Sequence, residues 1–146
     1  GVMEANTAGF VHGGWVMKWC DEVAGIAAIK HSRRRVVTAG VDRMVFVHPV
    51  HVGDLLHLSA SVNAAWRTSM EVGVRVETEN PVTGEVRHTN SAYLTMVAVD
   101  EAGHPIEVPP LVTATPEEER RAQEAQLRRR NRLAERKQIT ASRQPG

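Results

Sequence analysis

The chain has 146 residues, the size of one domain with a short tail, and its 42% hydrophobic and 24% charged residues are ordinary for a globular protein. Eighteen basic and 17 acidic side chains leave a net charge of +1, which excludes a strong overall attraction to nucleic acid or to an anionic membrane. A single cysteine excludes an intrachain disulfide and a multi-cysteine metal site, and no apolar run approaches the roughly 20 residues that cross a bilayer, so we expect a cytoplasmic protein.

The first element in the chain is a predicted helix over residues 15–31, preceded by a pair of glycines. This segment has no proline, and most of its side chains are apolar. Up to residue 29 the exceptions fall on one narrow stripe at helical spacing: Lys18, Asp21, Glu22 and Gly25. A helix that is apolar around most of its circumference is typical of a protein interior, and at about 1.5 Å per residue it would be about 25 to 28 Å long.

Four segments after this helix have the composition and alternating polarity of long β-strands: residues 35–47, 54–64, 69–79 and 85–100. The last two flank a turn sequence that runs from Asn80 to Gly84. Long strands joined by short turns are antiparallel, because a parallel pair needs a long crossover. One apolar helix and four such strands predict a sheet curled around a helix. A single sheet keeps exposed edges and one exposed face, so we expect dimerisation.

The C-terminal segment, residues 116–146, differs in charge from the rest of the chain. The first 115 residues carry a net charge of −3, and the last 31 carry +4. Thr115 and Pro116, followed by three glutamates, predict a helix start. Large apolar residues are few in this helix, so we expect a solvated helix or a partly disordered tail. Its three consecutive arginines at 128–130 lie among glutamates and lack neighbouring aromatics, which favours a solvated helix over a nucleic-acid interface.

Residues 9–25, with the sequence GFVHGGWVMKWCDEVAG, resemble the signature helix of the hotdog-fold acyl-CoA thioesterases. Further segments fall where that family has them, and the match covers roughly residues 5–115. These further segments are residues 36–46 with Pro49, 52–54, 67–70, 93–100 and 108–109. In this order and spacing, the chain is similar to the acyl-CoA hydrolase subgroup that includes the bacterial small hexameric thioesterases and the cytosolic and brain acyl-CoA hydrolases of animals.

The resemblance implies an α+β hotdog fold, with one long buried helix wrapped by a curved antiparallel sheet in residues 1–115 and a charged tail in residues 116–146. It implies hydrolysis of a fatty acyl-CoA to the free acid and coenzyme A, without a cofactor beyond the coenzyme A of the substrate. In the family, two subunits join their sheets edge to edge, and dimers often assemble into hexamers. No nucleic-acid or membrane partner is expected.

Thioester hydrolysis needs a base or a nucleophile, and Asp21 is the candidate for that role. It lies on a helix with few polar residues, and in the family this aspartate activates water or attacks the carbonyl carbon itself. The alternative is a structural carboxylate, satisfied by a hydroxyl of the sheet such as that of Thr38. Glu22, roughly 100° further around the helix, is expected to form a salt bridge or face solvent.

The reaction also needs hydrogen-bond donors for the oxyanion, and Gly13 and Gly14 at the helix start are the candidates. Backbone N–H groups and the positive end of the helix dipole converge there, and glycine lets a thioester approach closely. The alternative role is tight packing of helix against sheet. Gly13 and Asp21 are about 12 Å apart along one helix, whereas a reacting carbonyl must lie within about 3 Å of both groups. We therefore expect each site to combine two subunits.

Arg67, Thr68 and Ser69 follow a strand, and in the family this segment lies beside the nucleotide of coenzyme A, where a guanidinium and hydroxyls can bind phosphate. The alternative is an exposed strand start. His12 could act with Asp21 as in hotdog dehydratases, but its place before the glycine pair favours shaping of the substrate loop. The remaining histidines lack the spacing of metal ligands, and we assign no metal.

One position departs from the family, because Phe10 stands where many members have asparagine. That asparagine helps to orient water or substrate, and Asn6 is the candidate to replace it. A different class of function also fits the sequence, namely a non-catalytic module that binds acyl-CoA or lipid.

Overall fold

The computed structural model describes residues 13–42, 44 and 46–143. It consists of two helices and four strands: α1 Gly13–Ser32, β1 Arg35–Val41, β2 Leu55–Ala65, β3 Ser69–Glu79, β4 Val86–Val99 and α2 Pro116–Arg143. The strands form one antiparallel sheet in the order β1-β4-β3-β2. The α+β arrangement of a long helix on an antiparallel sheet is the one that the sequence predicts.

The helix α1 rests on one face of the sheet through every fourth residue. Val16, Cys20, Ala24 and Ala28 are completely buried, since a spacing of four residues keeps them on one side of a helix. Within one chain the sheet covers only this side. Apolar residues on other sides of α1 stay exposed, among them Ile26 at 58% and Ile29 at 47%. A single four-stranded layer is too narrow to surround the helix.

The core under α1 comes from the two central strands. Alternate residues of β3 and β4 are buried in register with one another, as the two-residue period of a strand requires. Met70 pairs with Met96, Val72 with Leu94 and Val74 with Ala92. The other side chains of these strands point to the opposite face of the sheet, which we call the outer face.

The first strand is shorter than predicted: β1 ends at Val41, whereas the sequence suggested residue 47. A β-bulge between Thr38 and Gly40 interrupts its pairing with β4, and Ala39 is the extra residue. Beyond β1, the N–H of Asp42 still donates to the carbonyl of Tyr93 at 2.8 Å. The strand is an edge of the sheet, and six of its seven residues are exposed.

The helix α2 begins at Pro116, as predicted, with the hydroxyl of Thr115 accepting a hydrogen bond from the N–H of Glu118 at 3.1 Å. The prediction of a solvated or partly disordered tail is wrong for its middle part, which lies on the outer face of the sheet. Only Ala125 of α2 is fully buried. The helix has no apolar stripe that could pack on the sheet. It is attached instead by arginine side chains that bind acidic side chains of the sheet region.

Candidate active site

The carboxyl group of Asp21 lies at the middle of α1, where the helix passes the bulged part of β1. Thr38 donates a hydrogen bond from its hydroxyl to Oδ1 of Asp21 at 2.5 Å. The same hydroxyl oxygen lies 3.4 Å from the sulfur of Met96 in the sheet core. Asp21 is half-buried. Because Thr38 belongs to β1, its hydrogen bond orients the carboxyl group of Asp21 relative to the sheet. The alternative in which Asp21 is a structural carboxylate satisfied by the Thr38 hydroxyl requires this same hydrogen bond. Within the described part of the chain the hydrogen bond from Thr38 engages Oδ1, and it is compatible with a catalytic role for the carboxylate as well.

The two neighbours of Asp21 in the sequence have different environments. Glu22 is exposed, as predicted. Cys20 is completely buried, and this burial raises the pKa of its thiol to about 11. At neutral pH the group is therefore a protonated thiol, and the thiolate is the form that attacks carbonyl groups. Of these three consecutive residues, Asp21 is the one whose side chain is both partly accessible and hydrogen-bonded to the sheet.

The glycine pair lies at the first turn of α1, since Gly13 is the first residue of the helix. Its distance from Asp21 follows from the helical rise and is about 12 Å along the axis. Between them, the rings of Trp15 and Trp19 lie 6.2 Å apart, and Nζ of Lys18 lies 5.0 Å from the centre of the Trp15 ring. Because of the distance along α1, the base and the oxyanion donors of one chain do not come together at one carbonyl group.

Residues 66–69 form the tight turn between β2 and β3. The N–H of Trp66 donates to the carbonyl of Ser69, and the N–H of Ala98 donates to the carbonyl of Thr68. The carbonyl of Arg67 accepts from Val108, while the residue itself is exposed. The backbone of this segment is thus used to join the strands, and its side chains remain accessible at the end of the sheet that also carries Met96.

The predicted roles of His12, Phe10 and Asn6 concern positions outside the described residues. Two grooves of about 400 and 230 Å³ occur elsewhere in the described chain, and Asp21 lines neither of them.

Among the described residues, no three histidine, cysteine, aspartate or glutamate side chains are grouped so as to hold a metal ion. No helix in the described part of the chain is both long and apolar enough to span a membrane.

A polar cluster on the outer face of the sheet was not foreseen from the sequence. The alternation of residues 69–79 predicts that Glu71 lies on the polar side of β3, yet its side chain is 0% exposed. Arg128 of α2 donates two hydrogen bonds of 2.8 Å to the two oxygens of Glu71, and Asn63 donates a third of 3.0 Å. The guanidinium carbon also lies 3.7 Å from the centre of the Tyr93 ring. The hydrogen bonds to Glu71 raise the pKa of the Arg128 guanidinium further above its ordinary value.

Two other contacts involve the same part of α2. The indole N–H of Trp66 donates to Gln126 at 3.2 Å, and the Arg129 guanidinium lies 4.7 Å from the centre of the Trp66 ring. Arg132, one turn beyond Arg128, forms a 3.1 Å ion pair with Asp42. Of the three consecutive arginines at 128–130, two therefore pack on the sheet. The long separation of these partners along the chain left no local signal for the contacts.

A family model described as the thioesterase superfamily matches residues 8–85. The cytosolic acyl coenzyme A thioester hydrolase of Rattus norvegicus is 35% identical over 130 residues, which are 88% of this chain and 34% of the rat protein. The structure of an apo-hexameric acyl-CoA thioesterase is 44% identical, with a TM-score of 0.86, and the match covers 90% of this chain and 84% of that protein.

An acyl-CoA hydrolase from Staphylococcus aureus has a similar structure. In its complex with butyryl coenzyme A, coenzyme A and coenzyme A disulfide, it is 32% identical with a TM-score of 0.87, and the match covers 97% of this chain and 87% of that protein. Structures of three alanine variants of the S. aureus hydrolase match as well, and they replace an asparagine, an aspartate and a threonine. In the S. aureus chain the aspartate follows the asparagine by 15 residues, and the threonine follows the aspartate by 17.

Proposed function

This chain belongs to the thioesterase superfamily, as an acyl-CoA thioester hydrolase, and we propose that it hydrolyses fatty acyl-CoA at composite sites formed by two copies of the chain. Asp21 of one copy is the base or nucleophile, and the amides of Gly13 and Gly14 of the other copy bind the oxyanion. The observation that carries this proposal is the Thr38–Asp21 hydrogen bond, because it presents an oriented, partly accessible carboxylate in the middle of a largely apolar helix.

The chemistry follows from the position of this carboxyl group. With Thr38 bound to Oδ1, the carboxylate is held in one orientation, and it can accept a proton from an attacking water or attack the thioester carbon itself. Either route develops negative charge on the carbonyl oxygen, which backbone amides at a helix start stabilise. Collapse of the tetrahedral intermediate breaks the carbon–sulfur bond, and the coenzyme A thiolate leaves and takes up a proton. When water is the nucleophile, this step gives the free acid directly; when Asp21 is the nucleophile, water then hydrolyses the acyl–Asp21 anhydride to release the acid and restore the carboxylate.

The spacing of three residues supports the assignment. Asn6, Asp21 and Thr38 have the residue types, the order and the separations of 15 and 17 residues of the three positions replaced in the S. aureus variants. We therefore assign the asparagine role to Asn6. On this assignment the phenylalanine at position 10 removes no catalytic group, and the argument for a merely binding module loses its main support.

The surface of one chain supports association with a second copy. The oxyanion donors and Asp21 lie about 12 Å apart on the same helix, so a single carbonyl group cannot reach both. Apolar side chains are exposed on α1 and on the edge strand β1, including Met17 at 43% and Val37 at 49%. An exposed strand edge beside an exposed apolar helix face is a surface that a second copy would cover. The hexameric relative supports a further assembly of three such dimers.

The remaining assignments follow the same reasoning. Residues 1–115 form the catalytic unit, and the turn at residues 67–69 contacts the phosphates of coenzyme A through Arg67, Thr68 and Ser69. His12 shapes the loop that receives the thioester. The similarity to the cytosolic rat hydrolase supports a cytoplasmic location.

Release of free thiol from a panel of saturated acyl-CoAs tests the proposed function directly. Steady-state release of thiol from at least part of the panel is the expected result. Coenzyme A and acyl-CoA affinities are measured in parallel by calorimetry. Binding without thiol release across the whole panel would contradict the proposal and support the alternative of a non-catalytic lipid-binding module.

A further inference from the structure

The helix α2 lies outside the segment matched by the family model. Two of its arginines contact strands β3 and β4 and the residue that follows β1, the strand that carries Thr38. Arg128 and Arg132 are four residues apart, so they lie on the same side of α2, one turn from each other. Arg128 binds Glu71 of β3 and covers the ring of Tyr93 in β4. Arg132 binds Asp42, the residue that follows β1. One face of the helix thus holds three neighbouring strands.

Asp42 is held from two directions. Its carboxylate accepts a hydrogen bond from Arg132 at 3.1 Å, and its backbone N–H donates to the carbonyl of Tyr93 at 2.8 Å. The charged groups of Arg132 and Asp42 are 28% and 24% exposed, so water screens this ion pair less than it screens a pair on the open surface. Since Tyr93 lies under Arg128, both arginines act on the same junction of β1 and β4.

The strand β1 is weakly fixed by its own pairing, so the ion pair of Arg132 with Asp42 matters for its position. It is an edge strand that pairs only with β4 within the described chain, and the bulge at Ala39 interrupts that pairing next to Thr38. A bulge lets a strand bend locally, so the position of the residues on either side is less firmly set by the ladder. Fixing Asp42, four residues beyond Thr38, restricts the bend and thereby the position of the hydroxyl that orients Asp21.

We propose that α2 positions the catalytic carboxylate, with Arg132 as a positioning residue that acts through Asp42 and Thr38 on Asp21, and with Arg128 as the anchor of the helix. This inference rests on the proposed function of Asp21. It gives the basic C-terminal segment a role in hydrolysis without any contact between its side chains and the substrate.

Steady-state kinetics of Arg132→Ala in the full chain tests the proposal. We expect kcat to fall about 10-fold while KM for acyl-CoA stays within about twofold, because small displacements of catalytic groups affect the chemical step more than binding. Asp42→Ala should give the same loss, and the double variant should be no worse than either single one, since both remove one ion pair. Arg132→Lys should recover most of the activity. The matched control is Arg136→Ala, an exposed arginine one turn further along α2, which should retain wild-type kinetics.

A double-mutant cycle of Arg132→Ala with Thr38→Ala distinguishes a positioning role of Arg132 from a general contribution to folding. If Arg132 acts through Thr38, Arg132→Ala should lower kcat no further in a Thr38→Ala background. The proposal is overturned if Arg132→Ala has wild-type kcat, if the losses of Arg132→Ala and Thr38→Ala multiply, or if the loss equals a loss of folded protein measured by circular dichroism. Failure of the proposed function would look different, because the wild-type chain would then release no thiol or Asp21→Ala would remain active.

Discussion

Asp21→Ala is expected to lower kcat for acyl-CoA hydrolysis by about 1,000-fold or more, while the affinity for coenzyme A changes by less than about twofold. The Asp21 carboxylate is the group proposed to accept a proton or attack the carbon, so its removal should eliminate the chemical step. Coenzyme A contacts are proposed for the turn at residues 67–69, at a different position on the sheet. Thiol release and isothermal calorimetry measure the two quantities on the same preparation.

Glu22→Ala is the matched control for this variant, because it removes a carboxylate from the next residue of the same helix. Glu22 is exposed, so we expect wild-type kinetics and stability. Asp21→Asn preserves the shape of the side chain and its ability to accept a hydrogen bond from Thr38, and it should be nearly as inactive as the alanine variant. Turnover near the wild-type rate in Asp21→Asn would show that Asp21 is a structural partner of Thr38 and no more.

Arg128→Ala is expected to have the largest effect on stability, a decrease of about 3 kcal/mol in the free energy of unfolding. It leaves the carboxylate of Glu71, which is completely buried, without its charged partner and with only the hydrogen bond from Asn63. It also removes the guanidinium that covers Tyr93. Urea denaturation at a fixed protein concentration measures the change, since an oligomer's stability depends on concentration.

Two further variants identify the cause of that loss. Arg130→Ala removes an exposed arginine from the same helix and should change stability by less than about 0.5 kcal/mol. The double variant with Glu71→Leu and Arg128→Met removes both charges, and it should be more stable than Arg128→Ala, because no unpaired buried charge remains. If Arg128→Ala were as stable as the wild type, the ion pair would not anchor α2.

The sequence was sufficient for the elements that depend on local periodicity. Alternation in residues 69–79 predicts β3 to the residue, and Thr115 and Pro116 predict the start of α2. It also drew attention to Asp21, because a carboxylate is unusual on a largely apolar helix, and to Thr38 as its partner on the sheet. The bounds of β3 and the start of α2 needed only side-chain spacing and the polarity of one element at a time, whereas the family resemblance favoured a catalytic role for Asp21 and Thr38 was named as one hydroxyl that could satisfy a structural carboxylate.

The contacts of α2 could not be predicted in the same way. Glu71 alternates with valines, so its pattern is that of a solvent-facing residue, and only the arrival of a helix from residues far along the chain buries it. Arg128 and Arg132 resemble other arginines of a charged tail until their partners are known. The end of β1 was also placed too late, because the bulge at Ala39 and the ion pair of Asp42 have no signal in the local composition.

A subunit-complementation assay tests the composite site most directly. Asp21→Ala removes the carboxylate, and Gly13→Pro removes one amide donor at the first helical residue, where proline is tolerated. Each variant alone should be inactive. When the two are co-expressed in equal amounts, half of the dimers contain one copy of each, and one of their two sites combines both intact groups. The account predicts about one quarter of wild-type thiol release from the mixture, since paired subunits exchange equivalent surfaces. A mixture that stays inactive would contradict it, as would a single variant that is active alone.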